Sequence, residues 1–167
     1  MAFSFRASWQ LSSELTSPLD LSTPTSVLNL ARQIAFSEGA GAGAADMIWH
    51  DKRTINASAT DSIDLAGALS GPFGTTLTFE RIKMVLVLAA PGNTNNVNVV
   101  RDSTSGAPLF LAAGDGIPVK PGGMFWWHDP SAGGVAVTPS TGDLLNLVNS
   151  GAGTSVTADV VIVGASS

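Results

Sequence analysis

The sequence has no cysteine and unusually little charge. Its 167 residues include eight Lys and Arg and 13 Asp and Glu, which give a net charge of −5. Without cysteine the chain has no disulfide bond, no thiol nucleophile and no cysteine-ligated metal. The absence of cysteine is compatible with both a reducing and an oxidising compartment. The cations are scattered singly, whereas a surface that binds phosphates needs them clustered. We therefore expect no nucleic-acid partner.

Long apolar runs are also absent. The longest, Met84 to Ala90, has seven residues, whereas a helix that spans a membrane needs roughly 20. The first residues lack a basic segment followed by an apolar block, which is the pattern of a secretory signal. We therefore expect neither a membrane partner nor a secretory signal.

The chain is instead rich in apolar and polar residues that alternate with a period of two, which is typical of half-buried strands. This alternation starts at Phe3 and continues to Leu11. Residues 77–90 form the strongest predicted strand, and both of its faces become apolar toward its end. It should therefore be a central strand that is covered on both sides. Residues 27–36 fit a helical face as well as a strand face, and we favour a strand because a glycine-rich run and further strands follow.

Short predicted strands continue to the end of the sequence, separated by turns rich in Gly, Pro, Asn and Ser. They cover residues 46–55, 57–65, 97–100, 109–111, 117–119, 124–128, 135–138, 144–148 and 155–163. Strands repeated every ~8–12 residues indicate an antiparallel sandwich or barrel. We predict an all-β fold in which residues 41–167 form an antiparallel, jelly-roll-like β-sandwich. Residues 1–40 are predicted as an N-terminal strand and an extended arm rich in Ser, Thr and Pro.

Residues that could carry catalysis do not form a recognisable constellation. His50 and His128 each precede an aspartate, but neighbouring residues of a strand face opposite ways, so neither pair is arranged to chelate a metal. Asp61 and Asp64, three apart in a strand, also point to opposite faces. The glycine-rich run 39–43 lacks the lysine of a phosphate loop. We assign no catalytic, cofactor-binding or metal-binding residue and expect a protein that is not an enzyme, with a sandwich-fold hydrolase as an open alternative.

Aromatic residues are the best candidates for an interface. Trp126 and Trp127 are consecutive in a predicted strand, so they cannot both enter one core layer. Either one of them lies outside, where tryptophan is enriched at protein interfaces, or an additional element covers the outer face. The candidate interface residues are Phe3, Phe5, Trp9, Trp126 and Trp127.

Several stretches taken together resemble a group of small structural proteins of tailed bacteriophages that includes the capsid cement, or decoration, proteins. The resemblance spans roughly residues 45–165. It rests on Ala45–Thr54 (ADMIWHDKRT) continuing to Asp64–Gly67, on Val119–Gly123 (VKPGG), and on Thr141–Leu145, Asn149–Val156 and Val160–Gly164.

This resemblance implies a jelly-roll-like homotrimer, made in the host cytoplasm, that sits on the outer capsid surface of the virion. There it would bind the major capsid protein and stabilise contacts between its subunits, without a cofactor. The alternative is a tail-fibre or tail-tip component that binds a host surface glycan through Trp126 or Trp127. Because residues 1–40 lie outside the resemblance, the role of the N-terminal arm rests on its own sequence.

Overall fold

The computed structural model describes residues 3–67 and 69–167, and its regular elements are strands. Met1 and Ala2, the start of the predicted arm, and Ala68 lie outside the described residues. In chain order the strands are β1 (Ser4–Thr16), β2 (Thr25–Glu38), β3 (Ala44–Ala45), β4 (Met47–Ile55), β5 (Thr60–Asp64), β6 (Leu69–Ser70), β7 (Thr76–Leu77), β8 (Arg81–Ala89), β9 (Val97–Arg101), β10 (Gly116–Val119), β11 (Met124–His128), β12 (Val135–Ala136), β13 (Leu144–Asn149) and β14 (Val156–Ala165). The predicted all-β class is confirmed. Within the described ranges no helix is long and apolar enough to cross a membrane.

Two antiparallel sheets form the body of the protein. The first, the β8 sheet, has the strand order β11-β8-β14-β4, with β12 also paired to β8. The second, the β9 sheet, has the order β10-β9-β13-β5. The predicted antiparallel sandwich is therefore confirmed.

The core lies between the inner faces of these sheets. Alternate residues of each strand point inward, as the period of two requires, and the β8 sheet contributes Trp49, Val85, Val87, Val160 and Ile162 while the β9 sheet contributes Ile63, Val97, Val99, Leu145 and Leu147. Each is almost fully buried, and burying a side chain of this size contributes roughly 1.5–3 kcal/mol. This inner core makes the body a rigid support.

Strand β8 is central and is buried on both faces, as its sequence predicts. It pairs with β11 on one side and with β14 on the other. Val85 and Val87 point into the inner core, whereas Met84 belongs to a second apolar cluster on the outer face of the sheet. Strand β8 is shorter than the strand predicted at residues 77–90. It begins at Arg81, and the backbone N–H of Phe79 donates to the carbonyl of Leu65 rather than to a neighbouring strand of the β8 sheet.

The N-terminal region forms a long β-hairpin. Strands β1 and β2 pair without interruption from Ser4 with Ser37 to Thr16 with Thr25. The helical alternative for residues 27–36 is therefore wrong, and the strand is confirmed. The extended arm predicted after Leu11 is regular strand as far as Thr16, because its serines find pairing partners in β2.

One predicted strand is wrong. Residues 109–111 lie in the loop between β9 and β10. The Arg101 guanidinium donates to the backbone carbonyl oxygens of Phe110 and Leu111, at 2.9 and 3.2 Å. A side chain thus supplies the hydrogen bonds that a neighbouring strand would have supplied.

Candidate interaction surface

The outer face of the β8 sheet is organised in rows, because paired residues of neighbouring strands share a face. The first row consists of Ile48, Val163, Met84 and His128; the second of His50, Val161, Leu86 and Trp126; the third of Lys52, Asp159, Leu88 and Met124. The central positions of the first two rows are apolar. The apolar part of the outer face therefore needs a cover.

The base of the hairpin covers the first two rows. Phe3, Phe5, Ile34 and Phe36 join Ile48, Met84, Leu86, Trp126, Val161 and Val163 in the outer cluster. The rings of Phe5 and Phe36 lie 6.1 Å apart, which is within the range of favourable aromatic pairs. The hairpin base is therefore packed on the body by apolar contacts.

The third row stays uncovered at its apolar end. Leu88 is 38% exposed and Met124 is 62% exposed. Between them and the hairpin base lies an apolar groove of about 300 Å³, here called the outer groove. It is lined by Phe5, Ala7, Leu86, Leu88, Met124 and Trp126, among others.

The hairpin has one apolar face and one polar face. The apolar face contains the pairs Phe5–Phe36, Ala7–Ile34, Trp9–Arg32, Leu11–Leu30, Ser13–Leu28 and Leu15–Ser26. The polar face contains Arg6–Ala35, Ser8–Gln33, Gln10–Ala31, Ser12–Asn29, Glu14–Val27 and Thr16–Thr25. The apolar face is thus a continuation of the one that packs on the β8 sheet.

Beyond the body this apolar face is open to solvent. Every residue from Gln10 to Asn29 is exposed, and Leu11, Leu15 and Leu28 are 54%, 74% and 52% exposed. A soluble protein rarely leaves a continuous apolar stripe uncovered unless it is a contact surface. The distal hairpin, residues 9–16 and 25–32, is therefore the strongest candidate interaction element of the molecule.

A loop over residues 17–24, the tip loop, closes the hairpin. Ser17 N–H donates to the carbonyl of Pro24 at 3.2 Å, and Leu19 N–H donates to that of Ser22 at 2.8 Å. The tip loop presents two apolar side chains to solvent, with Leu19 60% exposed and Leu21 fully exposed.

The glycine-rich run 39–43 connects the hairpin to the body as a tight loop. Ser37 N–H donates to the carbonyl of Gly43 at 3.1 Å, and Gly43 N–H donates to that of Pro130 at 2.8 Å. Gly43 has a φ of 67°, a left-handed conformation that favours glycine. These bonds anchor the hairpin to the loop after β11.

A buried lysine supports that loop. Lys83 is fully buried, and its Nζ donates to the carbonyl oxygens of Ser131 and Ala132, the latter at 2.9 Å. Desolvation lowers the pKa of Lys83, although the charge of Asp129 opposes this effect. Lys83 thus holds the loop against which the hairpin root rests.

The structure places the five candidate interface residues at different depths. Phe3, Phe5 and Trp126 pack in the outer cluster, and Trp127 packs against the inner core. Trp9 lies on the apolar face of the hairpin, next to the exposed stripe. The sequence pattern does not single out Leu28 or Met124, both of which are exposed.

The ionisable residues singled out in the sequence do not converge. His50 and His128 are exposed on different rows of the outer face. Asp61 forms a two-pronged ion pair with Arg53, at 2.6 and 2.7 Å, and this pairing raises the pKa of Arg53. Asp64 Oδ1 accepts the backbone N–H of Ala66 at 2.9 Å. Among residues 3–67 and 69–167, no three His, Asp or Glu side chains gather in a way that would hold a metal ion.

Comparison of the chain with protein-family models, with curated proteins and with solved structures finds no match. What can be inferred about function therefore depends on the residues and their geometry.

Proposed function

We propose that this chain is a virion structural protein: a homotrimeric cement protein that binds the outer surface of a bacteriophage capsid and stabilises contacts between major capsid subunits. The observation that carries the proposal is the projecting hairpin, whose base is packed on a rigid sandwich and whose distal half is exposed. Such an element suits a protein that connects neighbouring subunits. The resemblance of residues 45–165 to phage structural proteins supports the same conclusion.

The strand order supports a jelly-roll winding. The pairs β4–β14, β5–β13, β8–β11 and β9–β10 are nested, so that the first strand of the sandwich pairs with the last and the two middle strands pair with each other. This order arises when one long antiparallel ribbon is wrapped into two sheets, as in the jelly rolls of viral capsid proteins. Because one fold hosts many functions, the winding supports the proposal without carrying it.

We assign contact with the shell to the tip loop and the free edge of β1. Within residues 3–67 and 69–167, β1 pairs with β2 alone, so its other edge presents backbone N–H and C=O groups to which another strand can add. Leu19 and Leu21 of the tip loop provide apolar side chains at the far end. Three such hairpins in a trimer would multiply weak individual contacts through avidity.

The proposal predicts that the protein raises the temperature at which capsid shells break. A ligand that binds only the assembled shell stabilises it by mass action. Shells with and without the purified protein would be compared by light scattering and dye release during heating. Decorated shells should break at a higher temperature, and equal breakage temperatures would contradict the function.

A variant pair tests the assigned contact. Leu19→Ser/Leu21→Ser should weaken shell binding and remove most of the gain in breakage temperature. Leu111→Ser, a fully exposed leucine in the loop between β9 and β10, is the matched control and should keep the gain. An unchanged gain with the tip variant would mean that the tip loop does not contact the shell.

The number of copies per particle distinguishes a cement protein from the alternative of a tail component. A glycan-binding role would use an open tryptophan ring, whereas Trp127 packs against the inner core and Trp126 packs in the outer cluster. Quantitative mass spectrometry of purified particles gives the copy number. A number that matches the capsid lattice supports a cement protein, and one that matches the low rotational symmetry of a tail supports the alternative.

A further inference from the structure

In the described part of the chain, two of the exposed apolar surfaces lie on neighbouring elements. One is the apolar face of the distal hairpin, and the other is the third row of the β8 sheet beside the outer groove. An isolated two-stranded hairpin is at best marginally stable in water and needs a packed face. The distal hairpin therefore requires an occupant for its apolar face.

We propose that the occupant is a second copy of this chain: the apolar face of one protomer's distal hairpin packs into the outer groove of the next protomer. The inference rests on the homotrimer within the proposed function and is independent of capsid binding. It assigns contact between copies to the apolar face, and leaves the tip loop and the free edge of β1 for the shell.

The packing of the hairpin base shows that the outer face of the β8 sheet accepts this kind of ribbon. Phe5 and Phe36, one cross-strand pair of the apolar face, are packed in the outer cluster with Met84 and Leu86. The pair Leu11–Leu30 lies on the same face farther along the hairpin. The outer groove continues the receiving surface toward Leu88 and Met124, so donor and receiver are both apolar.

The charges of the two surfaces are complementary. Arg32 is the charged residue of the distal hairpin's apolar face, whereas Glu14 lies on the polar face. In the third row, Asp159 is next to Leu88, and its side chain is 56% exposed. Its partner Lys52 lies 3.7 Å away and is 72% exposed, so this pair is weak. Asp159 is thus available to form an ion pair with Arg32 of a neighbouring copy.

A single contact of this kind is smaller than the interface of a stable dimer. The distal hairpin has eight residue pairs, which span about 26 Å and offer roughly 260 Å² on one face. A stable interface usually buries about 800 Å² on each partner. Because donor and receiver are different surfaces, the contact is heterologous and can close into a ring, in which each protomer makes two such contacts.

The first test is the mass of the purified protein at micromolar concentration, measured by light scattering after size exclusion. The wild type should be an oligomer, and Leu11→Ser/Leu30→Ser should be a monomer. The matched control is Gln10→Ser/Ala31→Ser, the adjacent pair on the polar face, which should remain an oligomer. A monomeric wild type, or an unchanged mass of the apolar-face variant, would overturn the inference.

The receiving surface is tested in the same way, on a site in the body that does not depend on the folding of the hairpin. Met124→Asp should give a monomer that retains the circular dichroism spectrum of the wild type. Leu111→Asp, which places the same charge on another exposed apolar side chain, should stay oligomeric. An oligomeric Met124→Asp protein would contradict the assigned groove.

Cross-linking identifies which surfaces meet. The chain lacks cysteine, so Leu15→Cys and Met124→Cys proteins each carry a single thiol. When a tagged Leu15→Cys protein is mixed with an untagged Met124→Cys protein, a bismaleimide should join one chain of each kind. Joining of Leu15→Cys chains to one another, in place of the mixed product, would favour a face-to-face hairpin contact and overturn the proposal.

These outcomes are separable from failure of the proposed function. A monomer that still raises the breakage temperature of shells would contradict the proposed contact between copies and would support the cement function. An oligomer that forms through the outer groove but leaves the breakage temperature of shells unchanged would support the contact between copies and contradict the cement function.

Discussion

At the scale of single residues, Asp102 organises the turn that follows β9. Its Oδ1 accepts the backbone N–H groups of Thr104 and Ser105, both at 2.8 Å, and its Oδ2 accepts Nδ2 of Asn146 at 3.0 Å. These donors favour the ionised carboxylate and lower the pKa of Asp102 below its ordinary value, with the bond from Ser105 contributing most. One carboxylate thus connects a turn to β13.

This arrangement predicts an acid-sensitive contribution to stability. Because the pKa of Asp102 is lower in the folded protein, its contribution is fully present above the ordinary aspartate pKa of about 3.9 and is lost as the pH falls through the folded value. Asp102→Asn should therefore flatten the dependence of the unfolding free energy on pH below about 4. Urea denaturation from neutral to acidic pH measures this, with Asp20→Asn in the tip loop as the control for loss of one charge. Parallel curves for wild type and Asp102→Asn would refute the assignment.

At the scale of secondary-structure elements, β14 contains an irregularity that requires glycine. The register between β14 and β8 shifts between Val163 and Gly164. A Cβ at Gly164 would collide with the backbone oxygen of Arg81 and would lie 2.7 Å from Cδ1 of Phe79. The backbone and an aromatic ring therefore occupy the space that a side chain would need.

Gly164→Ala should lower the unfolding free energy by about 1–3 kcal/mol, since overpacking forces the backbone to move. Gly41→Ala is the matched control, because a Cβ there would meet no atom within 4 Å. Chemical denaturation of both variants measures the difference. A Gly164→Ala protein as stable as the control would mean that the strand relaxes without cost.

The period-two pattern predicted most strands, because the apolar inner faces of the sheets follow directly from it. The pairing of β1 with β2 was not predicted, since their register depends on the tip loop and on packing against the body, not on local propensity. The exposed apolar face of the distal hairpin was missed for a related reason. Leu15 falls in the predicted extended arm and Leu28 in a predicted strand, and only the projection of the hairpin shows that their shared face lacks a cover. The strand predicted at residues 109–111 failed because the distant side chain of Arg101 binds its carbonyl groups.

At the scale of the whole molecule, stability should be uneven. The sandwich has a buried inner core, whereas every hairpin residue from Gln10 to Asn29 is exposed. Local opening is easiest where few apolar contacts form. Association of copies would therefore stabilise the hairpin much more than the body.

Hydrogen exchange at two protein concentrations measures this difference. Backbone amides of residues 10–16 and 25–29 should exchange quickly in dilute, dissociated protein and slowly in concentrated, assembled protein. Amides of β8 and β14 should exchange slowly at both concentrations, which makes them the internal control. Equal protection of the hairpin at both concentrations would show that it is stable without a neighbour.

The tight glycine loop at the hairpin root has a mechanical consequence. Tension applied to the far end of the hairpin travels along β2, crosses the joint at residues 39–43 and arrives at β4. Hydrogen bonds on both sides of this joint hold residues 39–43 in a compact loop. The loop therefore lengthens little when the hairpin is pulled. The load then reaches the edge strand of the β8 sheet, which is held to β14 along nine consecutive residue pairs. A pull on the far end of the hairpin would thus be passed to a strand that is held along its whole length.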